Sequence, residues 1–207
     1  MTVSDAPQRI GLYGGTFDPP HIGHVRAARN FICAEKLDIL YIMPANIPPH
    51  KQIDHADDPI RRFEMCKAAF GDIDGVVVSD YEIVRSGISY TVDTLRHLHD
   101  VSGGAVLFML CGDDMFLTLD RWREPDEIFR MSHIVCMRRY DDGEALIRAK
   151  AREYEERFGV RVSLIDAPPY PASSTEIRQT VARGGDVSSA VPAQVCDYIT
   201  VHGMYRD

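Results

Sequence analysis

The chain has 207 residues, of which 45% are hydrophobic and 26% are charged, as is ordinary for one globular domain with its own core. Residues 1–207 are therefore expected to form a single domain. The formal net charge of -8 disfavours sequence-independent binding to nucleic acid, which needs a broad basic face. The five scattered cysteines include no Cys-x-x-Cys pair and predict neither a disulfide framework nor a zinc knuckle. With no signal-peptide pattern and no bilayer-length apolar run, we expect a cytoplasmic protein without a membrane partner.

Six short apolar runs rich in β-branched residues alternate with helical patterns along the chain. The runs are Ile10–Tyr13, Ile39–Met43, Val76–Val78, Val106–Leu110, Ile134–Met137 and Val160–Ile165. Most are apolar at every position, which is typical of strands buried on both faces of a parallel sheet. Near the C-terminus, Pro192 predicts the first residue of a final helix. The alternation predicts a doubly wound, Rossmann-like α/β sheet with helices on both faces, where ligands bind at the carboxyl ends of the strands.

A segment rich in glycine and proline, with two histidines, follows the first run. Gly14 and Gly15 predict a sharp backbone turn and a close approach to a ligand, and a helix is expected to begin at His21 or Ile22. His21 and His24 are three residues apart and therefore share one face of the first helical turn. Free backbone N–H groups, the positive end of the helix dipole and two imidazoles are expected to converge there. The segment thus predicts a phosphate-binding site.

The same His-x-x-His pair has two other interpretations. Zinc binding requires further protein ligands, and the sequence offers no third ligand at a sensible spacing. A purely structural pair would be a poor packing choice beside several glycines at a helix start. The segment also lacks the Gly-x-x-x-x-Gly-Lys-[Ser/Thr] layout of a P-loop and the Gly-x-Gly-x-x-Gly pattern of dinucleotide dehydrogenases.

The segment Gly15-Thr16-Phe17-Asp18-Pro19-Pro20-His21-Ile22-Gly23-His24 resembles the signature of the HIGH-type nucleotidyltransferase superfamily. In that superfamily the second histidine of the signature, here His24, contacts the transferred phosphoryl group. The resemblance therefore implies that His21 and His24 are catalytic. It also implies an ATP site that includes Gly14, Gly15, Thr16, Phe17, His21 and His24.

The rest of the chain resembles bacterial nicotinate mononucleotide adenylyltransferases over nearly its whole length. The segment Pro44-Ala45-Asn46-Ile47-Pro48-Pro49-His50-Lys51 is similar to that family's loop after the second strand. The resemblance implies that Lys51 contacts the mononucleotide, whereas His50 fits a phosphate contact and a mobile surface loop equally well. Arg62 also fits the family pattern. An arginine on a helix surface would look the same, so the sequence assigns it no role.

Two further segments resemble the family's acceptor pocket. Ser89–Leu95 is similar to its Tyr-Thr-x-Asp-Thr-Leu segment. Thr91 is a natural N-cap, and the backbone N–H groups beside Tyr90 and Thr91 are expected to receive a carboxylate; a plain helix cap is the alternative. After the fourth run, Asp114 and Trp122 match the family's Gly-x-Asp with a downstream Trp. The Trp of the family stacks on the pyridine ring, and a half-buried structural Trp is the alternative.

A serine-rich helix start near the C-terminus resembles the superfamily's second nucleotide motif. Ser174 and Thr175 stand at this start, and Arg178 follows one turn later. The resemblance implies that these three residues bind the triphosphate of ATP and that Arg178 is catalytic because it stabilises departing pyrophosphate. Ser173 and Glu176 also form the pattern of a capping box, which is compatible with that role.

The resemblance implies that the protein joins ATP and nicotinate mononucleotide to give deamido-NAD and pyrophosphate, in NAD biosynthesis. Mg²⁺ is expected to arrive with ATP rather than in a protein metal site. No covalent intermediate is predicted, and a homo-oligomer is left open. After the fifth run the family often continues Arg-Pro-Gly, whereas this chain continues Arg138-Arg139-Tyr140-Asp141. No role is therefore assigned to the loop 138–143.

Two competing functions remain at this point. The first is a transferase of the same superfamily with another acceptor, such as phosphopantetheine, which has no ring for Trp122 to stack on. The second is a non-catalytic nucleotide-binding regulator. The presence of His21, His24 and Arg178 together disfavours the regulator, because no position of the catalytic pattern is lost.

Overall fold

The computed structural model describes residues 6–49, 58–138, 143–166 and 170–206. The strands are β1 Arg9–Gly15, β2 Ile39–Pro44, β3 Val76–Val78, β4 Val106–Gly112, β5 Ser132–Arg138 and β6 Val162–Asp166. The helices are α1 Ile22–Glu35, α2 Pro59–Phe70, α3 Tyr81–Arg85, α4 Thr91–Ser102, α5 Asp113–Phe116, α6 Pro125–Met131, α7 Glu144–Phe158, α8 Ser174–Ala182 and α9 Ala193–Val201. A short 3-10 helix spans Leu119–Arg121. All six predicted strands are present, although Val160 is a core residue that precedes β6.

The described strands form one parallel sheet in the order β3-β2-β1-β4-β5-β6. The chain builds outward from β1 to β3 and then returns to place β4 on the other side of β1. This order is that of a doubly wound nucleotide-binding sheet, and its switch point lies between β1 and β4. The predicted fold class is therefore confirmed.

The central strand β4 explains why the predicted runs are apolar at every position. Leu107 and Met109 pack into a core cluster on one face of the sheet, whereas Phe108 and Leu110 pack into a second cluster on the other face. Because successive side chains of a strand point to opposite faces, a strand covered on both sides needs apolar residues throughout.

A further cluster attaches the C-terminal helices to the rest of the domain. Met65 of α2 packs with Ile177 of α8 and Val195 of α9, and all three side chains are buried. This packing attaches α8 and α9 to α2. Pro192 is the N-cap of α9 rather than its first residue, so the predicted start was wrong by one position.

Candidate active site

The candidate site lies at the carboxyl ends of β1, β2 and β4, around the switch point of the sheet. β1 ends at Gly15, beside Pro44 at the end of β2. The backbone N–H of Ala45 donates to the carbonyl oxygen of Gly15 at 2.9 Å. β4 ends at Gly112, and α5 begins at the next residue. Helix starts and strand ends thus share one edge of the sheet, where doubly wound folds bind ligands.

Gly14 and Gly15 do not form the sharp turn that the sequence predicted. Both belong to β1, and the left-handed backbone conformation after this strand is adopted by Phe17, with φ 53°. A Cβ built at Gly14 meets no atom within 4 Å, so a ligand can approach the backbone there. A Cβ built at Gly15 would lie 2.9 Å from the Phe17 ring, which shows that Gly15 makes room for this ring. The Phe17 side chain is buried, so a contribution of Phe17 to ATP binding must come from its backbone.

The two histidines of the signature lie face to face at the start of α1. The ring centroids of His21 and His24 are 3.7 Å apart, with an interplanar angle of 28°. The backbone N–H of His21 donates to Nδ1 of His24 at 3.1 Å. A neutral imidazole that accepts through Nδ1 carries its proton on Nε2. His24 therefore has an Nε2–H that can donate to a phosphate oxygen.

Gly23 allows this arrangement because it has no side chain. A Cβ built at Gly23 would lie 2.8 Å from Cε1 and 2.9 Å from Nδ1 of His21. His21 is buried and stacked, so its ring has no room to move away. The glycine between the histidines thus sets the position of the pair, whereas the sequence had assigned it only to leaving the helix end open.

The first turn of α1 offers fewer amide donors than the sequence predicted. The N–H of Ile22 donates to the carbonyl oxygen of Ala190 at 2.9 Å, and that of His24 donates to the oxygen of His21 at 2.9 Å. Within residues 6–49, 58–138, 143–166 and 170–206, the N–H of Gly23 has no acceptor. The carbonyl oxygen of Ala190, in the segment before α9, thus occupies the N–H of Ile22, which the local sequence had predicted to be open.

The start of α8 contacts the phosphate-loop segment between β1 and α1. Oγ of Ser174 donates to the carbonyl oxygen of Pro19 at 2.9 Å, and Nη1 of Arg178 donates to that of Asp18 at 2.6 Å. Nη2 of Arg178 lies 3.4 Å from Oγ1 of Thr175. The structure thus brings the two predicted ATP motifs together, although the motifs are about 150 residues apart in the chain.

Ser173 caps α8 as the sequence predicted. Its Oγ accepts from the backbone N–H of Glu176 at 3.2 Å and lies 3.0 Å from Oε2 of the same residue. The cap orients the first turn of α8, in which Ser174 and Thr175 stand. The capping and nucleotide-binding interpretations of this segment are therefore compatible in space.

Sequence reasoning missed Tyr205, which lies four residues after the end of α9 and contacts the loop between β1 and α1. Its hydroxyl donates to Oδ1 of Asp18 at 2.6 Å, while Nη1 of Arg178 lies 3.5 Å from Oδ2 of the same carboxylate. Asp18 is thus held from two sides. No local pattern signals this contact, because the two partners are 187 residues apart.

The segment at the start of α4 differs from the prediction in one detail. Tyr90, and not Thr91, is the N-cap, and its carbonyl oxygen accepts from the N–H groups of Asp93 and Thr94. The loop before α4 is held in place at this start, because the N–H of Ser89 donates to the carbonyl oxygen of Ile47 at 2.9 Å. Among the described residues, the N–H of Thr91 has no acceptor. The predicted carboxylate contact therefore has a donor.

Trp122 lies close to the start of α4. The guanidinium carbon of its neighbour Arg123 lies 4.5 Å from the centroid of the Tyr90 ring, so the two predicted acceptor segments adjoin. Trp122 is half-buried and packs against the core, which leaves stacking and structural roles compatible. Asp114 is exposed in the first turn of α5, at the carboxyl end of β4. Lys51 and His50 lie outside the described residues.

Of the two interpretations that the sequence left open for Arg62, the structure excludes the helix-surface one. Its side chain is 0% exposed, and its guanidinium donates to backbone carbonyl oxygens of the segments that follow β1 and β2. A charged residue in a helix is usually on the surface, so the local pattern gives no signal for this burial.

Three properties of the described residues concern metal binding, thiol reactivity and membrane insertion. They contain no group of three or more His, Cys, Asp or Glu side chains that could hold a metal ion. Burial raises the pKa of the Cys66 and Cys111 thiols, which disfavours the thiolate at both positions. No described helix is long and apolar enough to span a bilayer.

Comparison with known proteins extends these observations. The chain matches the cytidylyltransferase-like family model over residues 12–180. It is 38% identical over 208 residues to a probable nicotinate-nucleotide adenylyltransferase of Desulfitobacterium hafniense (strain Y51), with 100% of each chain covered. It is 39% identical over 204 residues to a protein of the same description from Roseiflexus sp. (strain RS-1), with 99% of this chain and 100% of the relative covered.

A solved structure has the same fold. The nicotinic acid mononucleotide adenylyltransferase of Plasmodium falciparum, complexed with NaAD, superposes with a TM-score of 0.77 and 18% sequence identity. The match covers 96% of this chain and 97% of that chain. At this identity the likeness establishes the arrangement of the sheet and helices.

Proposed function

Because this chain belongs to the cytidylyltransferase-like family and to the nicotinate-nucleotide adenylyltransferases within it, we propose that it transfers the adenylyl group of ATP to nicotinate mononucleotide. The products are deamido-NAD and pyrophosphate, and the reaction belongs to NAD biosynthesis. The observation that carries the proposal is the contact of the stacked histidine pair and Arg178 with one short loop at the switch point of the sheet.

Catalysis needs positioning and charge stabilisation rather than a general base. The phosphate of the mononucleotide is already a nucleophile, and it attacks the α-phosphorus of ATP in line with the departing pyrophosphate. Nε2–H of His24 donates to an oxygen of the transferred phosphoryl group as negative charge redistributes. His21 holds the His24 ring through the stacking contact and the bond to Nδ1. Both histidines thus act through positioning and hydrogen bonding.

The ATP side consists of the backbone from Gly14 to Phe17, the histidine pair and the start of α8. Open space over Gly14 lets the nucleotide approach the strand end. Ser174, Thr175 and Arg178 bind the β- and γ-phosphates, because hydroxyl groups, a helix start and a guanidinium all favour anions there.

The acceptor side consists of the starts of α4 and α5 and the segment at Trp122. The indole face stacks on the electron-poor pyridine ring. The N–H groups at Thr91 receive the nicotinate carboxylate. Asp114 hydrogen-bonds the ribose hydroxyls, and Lys51 contacts the phosphate.

Nucleotidyltransferases of this kind generally use a divalent metal, and we propose Mg²⁺ bound to ATP. The described ATP side offers imidazoles, hydroxyl groups and a guanidinium, which suit the phosphates, while the carboxylate of Asp18 is engaged by Tyr205 and Arg178. Mg²⁺ keeps several waters and binds largely through substrate phosphates, so this donor set fits an ion that arrives with ATP. When bound, it neutralises charge on the phosphate oxygens, while Ser174 and Thr175 lie beside the triphosphate.

The decisive experiment measures pyrophosphate release from ATP with each candidate acceptor. Nicotinate mononucleotide should give turnover, whereas phosphopantetheine should not, because it has no ring for Trp122 and no carboxylate for the amides at Thr91. Release with phosphopantetheine alone would place the protein in another branch of the superfamily. Absence of release with every acceptor, despite ATP binding, would indicate a regulator.

The same assay measures selectivity between two acceptors of nearly equal size. Nicotinate should be preferred over nicotinamide mononucleotide, because a carboxylate accepts from amide donors that a carboxamide NH₂ opposes. A hydrogen bond to a charged group and an unmade buried donor together correspond to roughly tenfold to several-thousandfold in kcat/KM. Equal values, or a preference for the amide, would contradict the substrate assignment and leave the superfamily assignment intact.

A further inference from the structure

Arg62 connects two loops that carry different parts of the site. It is in the first turn of α2, and its side chain is fully buried. Nη1 donates to the carbonyl oxygen of Thr16 at 2.8 Å, directly after β1. Nη2 donates to the carbonyl oxygens of Ala45 at 2.6 Å and Asn46 at 3.1 Å, directly after β2. One guanidinium therefore binds the phosphate loop and the loop after β2 at the same time.

A second connection joins the loop after β2 to the start of α4. The N–H of Asn46 donates to Oγ of Ser89 at 2.9 Å, and Nδ2 of Asn46 donates to the carbonyl oxygen of Gly87 at 2.9 Å. Glu82 is 6% exposed and hydrogen-bonds the side chain of Ser89, and Oγ1 of Thr94 donates to Oε1 of Glu82 at 2.6 Å. The loop after β2 is thus held between Arg62 on one side and the Glu82–Ser89 pair on the other.

We propose that Arg62 is a positioning residue that fixes the loop after β1 relative to the loop after β2. The inference rests on the proposed function, in which Thr16 belongs to the ATP side and the start of α4 belongs to the acceptor side; Asn46 reaches that start through Ser89. In-line attack requires the acceptor phosphate and the α-phosphorus to meet at near-contact distance. A displacement of about 1 Å between the two loops costs roughly 10²-fold in rate.

The chemistry of the side chain explains why an arginine suits this position. A guanidinium is planar and has donors on separate nitrogens, so it can serve carbonyl oxygens of two loops in fixed directions. A lysine ammonium carries its donors on one atom and on a flexible stem. Arg62→Lys therefore keeps the buried charge but loses the geometry that joins Thr16 to Ala45 and Asn46.

The first test compares Arg62→Lys with Arg61→Lys. Arg61 is the neighbouring residue of the same helix, and its side chain is 47% exposed. Pyrophosphate release should show kcat of Arg62→Lys reduced about 10²-fold with both KM values near wild type, whereas Arg61→Lys should match wild type. Circular dichroism at the assay temperature verifies the folded fraction. A folded Arg62→Lys with wild-type kcat, or one altered only in KM, would overturn the proposal.

If Arg62→Lys does not fold, a second variant and a direct measurement test the connection between the loops. Ser89→Ala leaves Arg62 in place but removes the acceptor of the Asn46 N–H. It should raise KM for the mononucleotide about fivefold, the worth of one hydrogen bond, and leave KM for ATP unchanged. Hydrogen exchange should quicken at the amide of Asn46 and not at that of Ala45, which donates to Gly15. Equal changes in both KM values, or unchanged exchange at Asn46, would contradict the loop connection.

These results separate the positioning role from the proposed function. If wild type shows no turnover with nicotinate mononucleotide and ATP, the proposed function fails. Hydrogen exchange at Asn46 in Ser89→Ala then still tests the loop connection, because it requires no turnover. If wild type turns over normally and the folded variants do so too, the positioning role alone fails.

Discussion

The ATP side and the acceptor side of the site are built in different ways. On the ATP side, one loop of residues 16–20 is held by side chains from helices at the other end of the chain. On the acceptor side, Arg123 beside Trp122 contacts the Tyr90 ring 33 residues away, and the N–H of Asn46 bonds to Ser89 43 residues away. The ATP side is therefore held by contacts that span 155 to 187 residues, and the acceptor side by contacts of much shorter span.

This difference predicts how the two sides respond to substitution. Ser174, Arg178 and Tyr205 all contact one short loop, so a substitution at one of them is expected to displace the loop and alter the contacts of the other two. Residues on separate helix starts act independently, and losing one should weaken a single substrate. The predictions below test that contrast, from the largest expected effect to the smallest.

His24→Ala should have the largest effect. It removes the Nε2–H donor at the transferred phosphoryl group, and the loss of one preorganised donor to developing charge costs roughly 10²–10³ in kcat. ATP binding, measured by calorimetry, should remain near normal, because the loop and α8 keep their contacts. A purified variant with near-normal turnover would remove His24 from the mechanism.

Gly23→Ala should also act on kcat, although it removes no functional group. The added methyl would lie 2.8 Å from the His21 ring and must displace the histidine pair. Such a displacement is expected to cost about 10²-fold in rate. Gly14→Ala is the contrasting variant: its methyl meets no protein atom within 4 Å, so it should leave stability unchanged and act through KM for ATP. Wild-type kcat in Gly23→Ala would show that the ring can move freely.

Arg178→Ala and Trp122→Ala should weaken opposite substrates. Loss of an arginine contact to phosphate corresponds to about tenfold to 150-fold in KM for ATP. Loss of the stacking contact corresponds to about twofold to tenfold in KM for the mononucleotide. Steady-state kinetics with each substrate varied in turn measure both. Weakening of the same substrate by both variants would contradict the division of the site into two sides.

Tyr205→Phe should have the smallest effect. It removes only the hydroxyl that donates to Asp18 at 2.6 Å, which is worth about 1–2 kcal/mol of unfolding free energy. For a chain of this size each kcal/mol lowers Tm by about 2–4 °C. KM for ATP should rise modestly as Asp18 loosens beside Arg178. Tyr198→Phe in α9 is the matched control, and an equal loss of Tm there would remove any special role for the Asp18 contact.

Local sequence patterns predicted the sheet and the contiguous motifs, for clear physical reasons. Strands buried on both faces are apolar throughout, as β4 shows, and the glycines with closely spaced histidines predicted a helix start that the structure has at Ile22. The Ser173 cap was predictable because a capping box involves residues three apart. These features depend on neighbours in the chain, and the sequence displays such neighbours directly.

The features that were missed depend on residues far apart in the chain. The carbonyl oxygen of Ala190 occupies the amide of Ile22, and no pattern around either residue announces the pair. Arg62 received no role from the sequence because its acceptors are backbone atoms of distant loops. Thr91 had the better side chain for a cap, but Tyr90 is the N-cap, and the N–H of Ser89 before it pairs with the distant Ile47.

The contacts of the phosphate loop also have a consequence for the order of folding. Ser174–Pro19, Arg178–Asp18 and Tyr205–Asp18 are separated by 155, 160 and 187 residues. Contacts of such separation close long loops, and the entropy of closing them must be overcome before the contacts contribute. During synthesis, the first strand and its loop emerge early but wait for the final helices. The newly made protein should therefore acquire its affinity for ATP only at the end of folding, after the sheet has already formed.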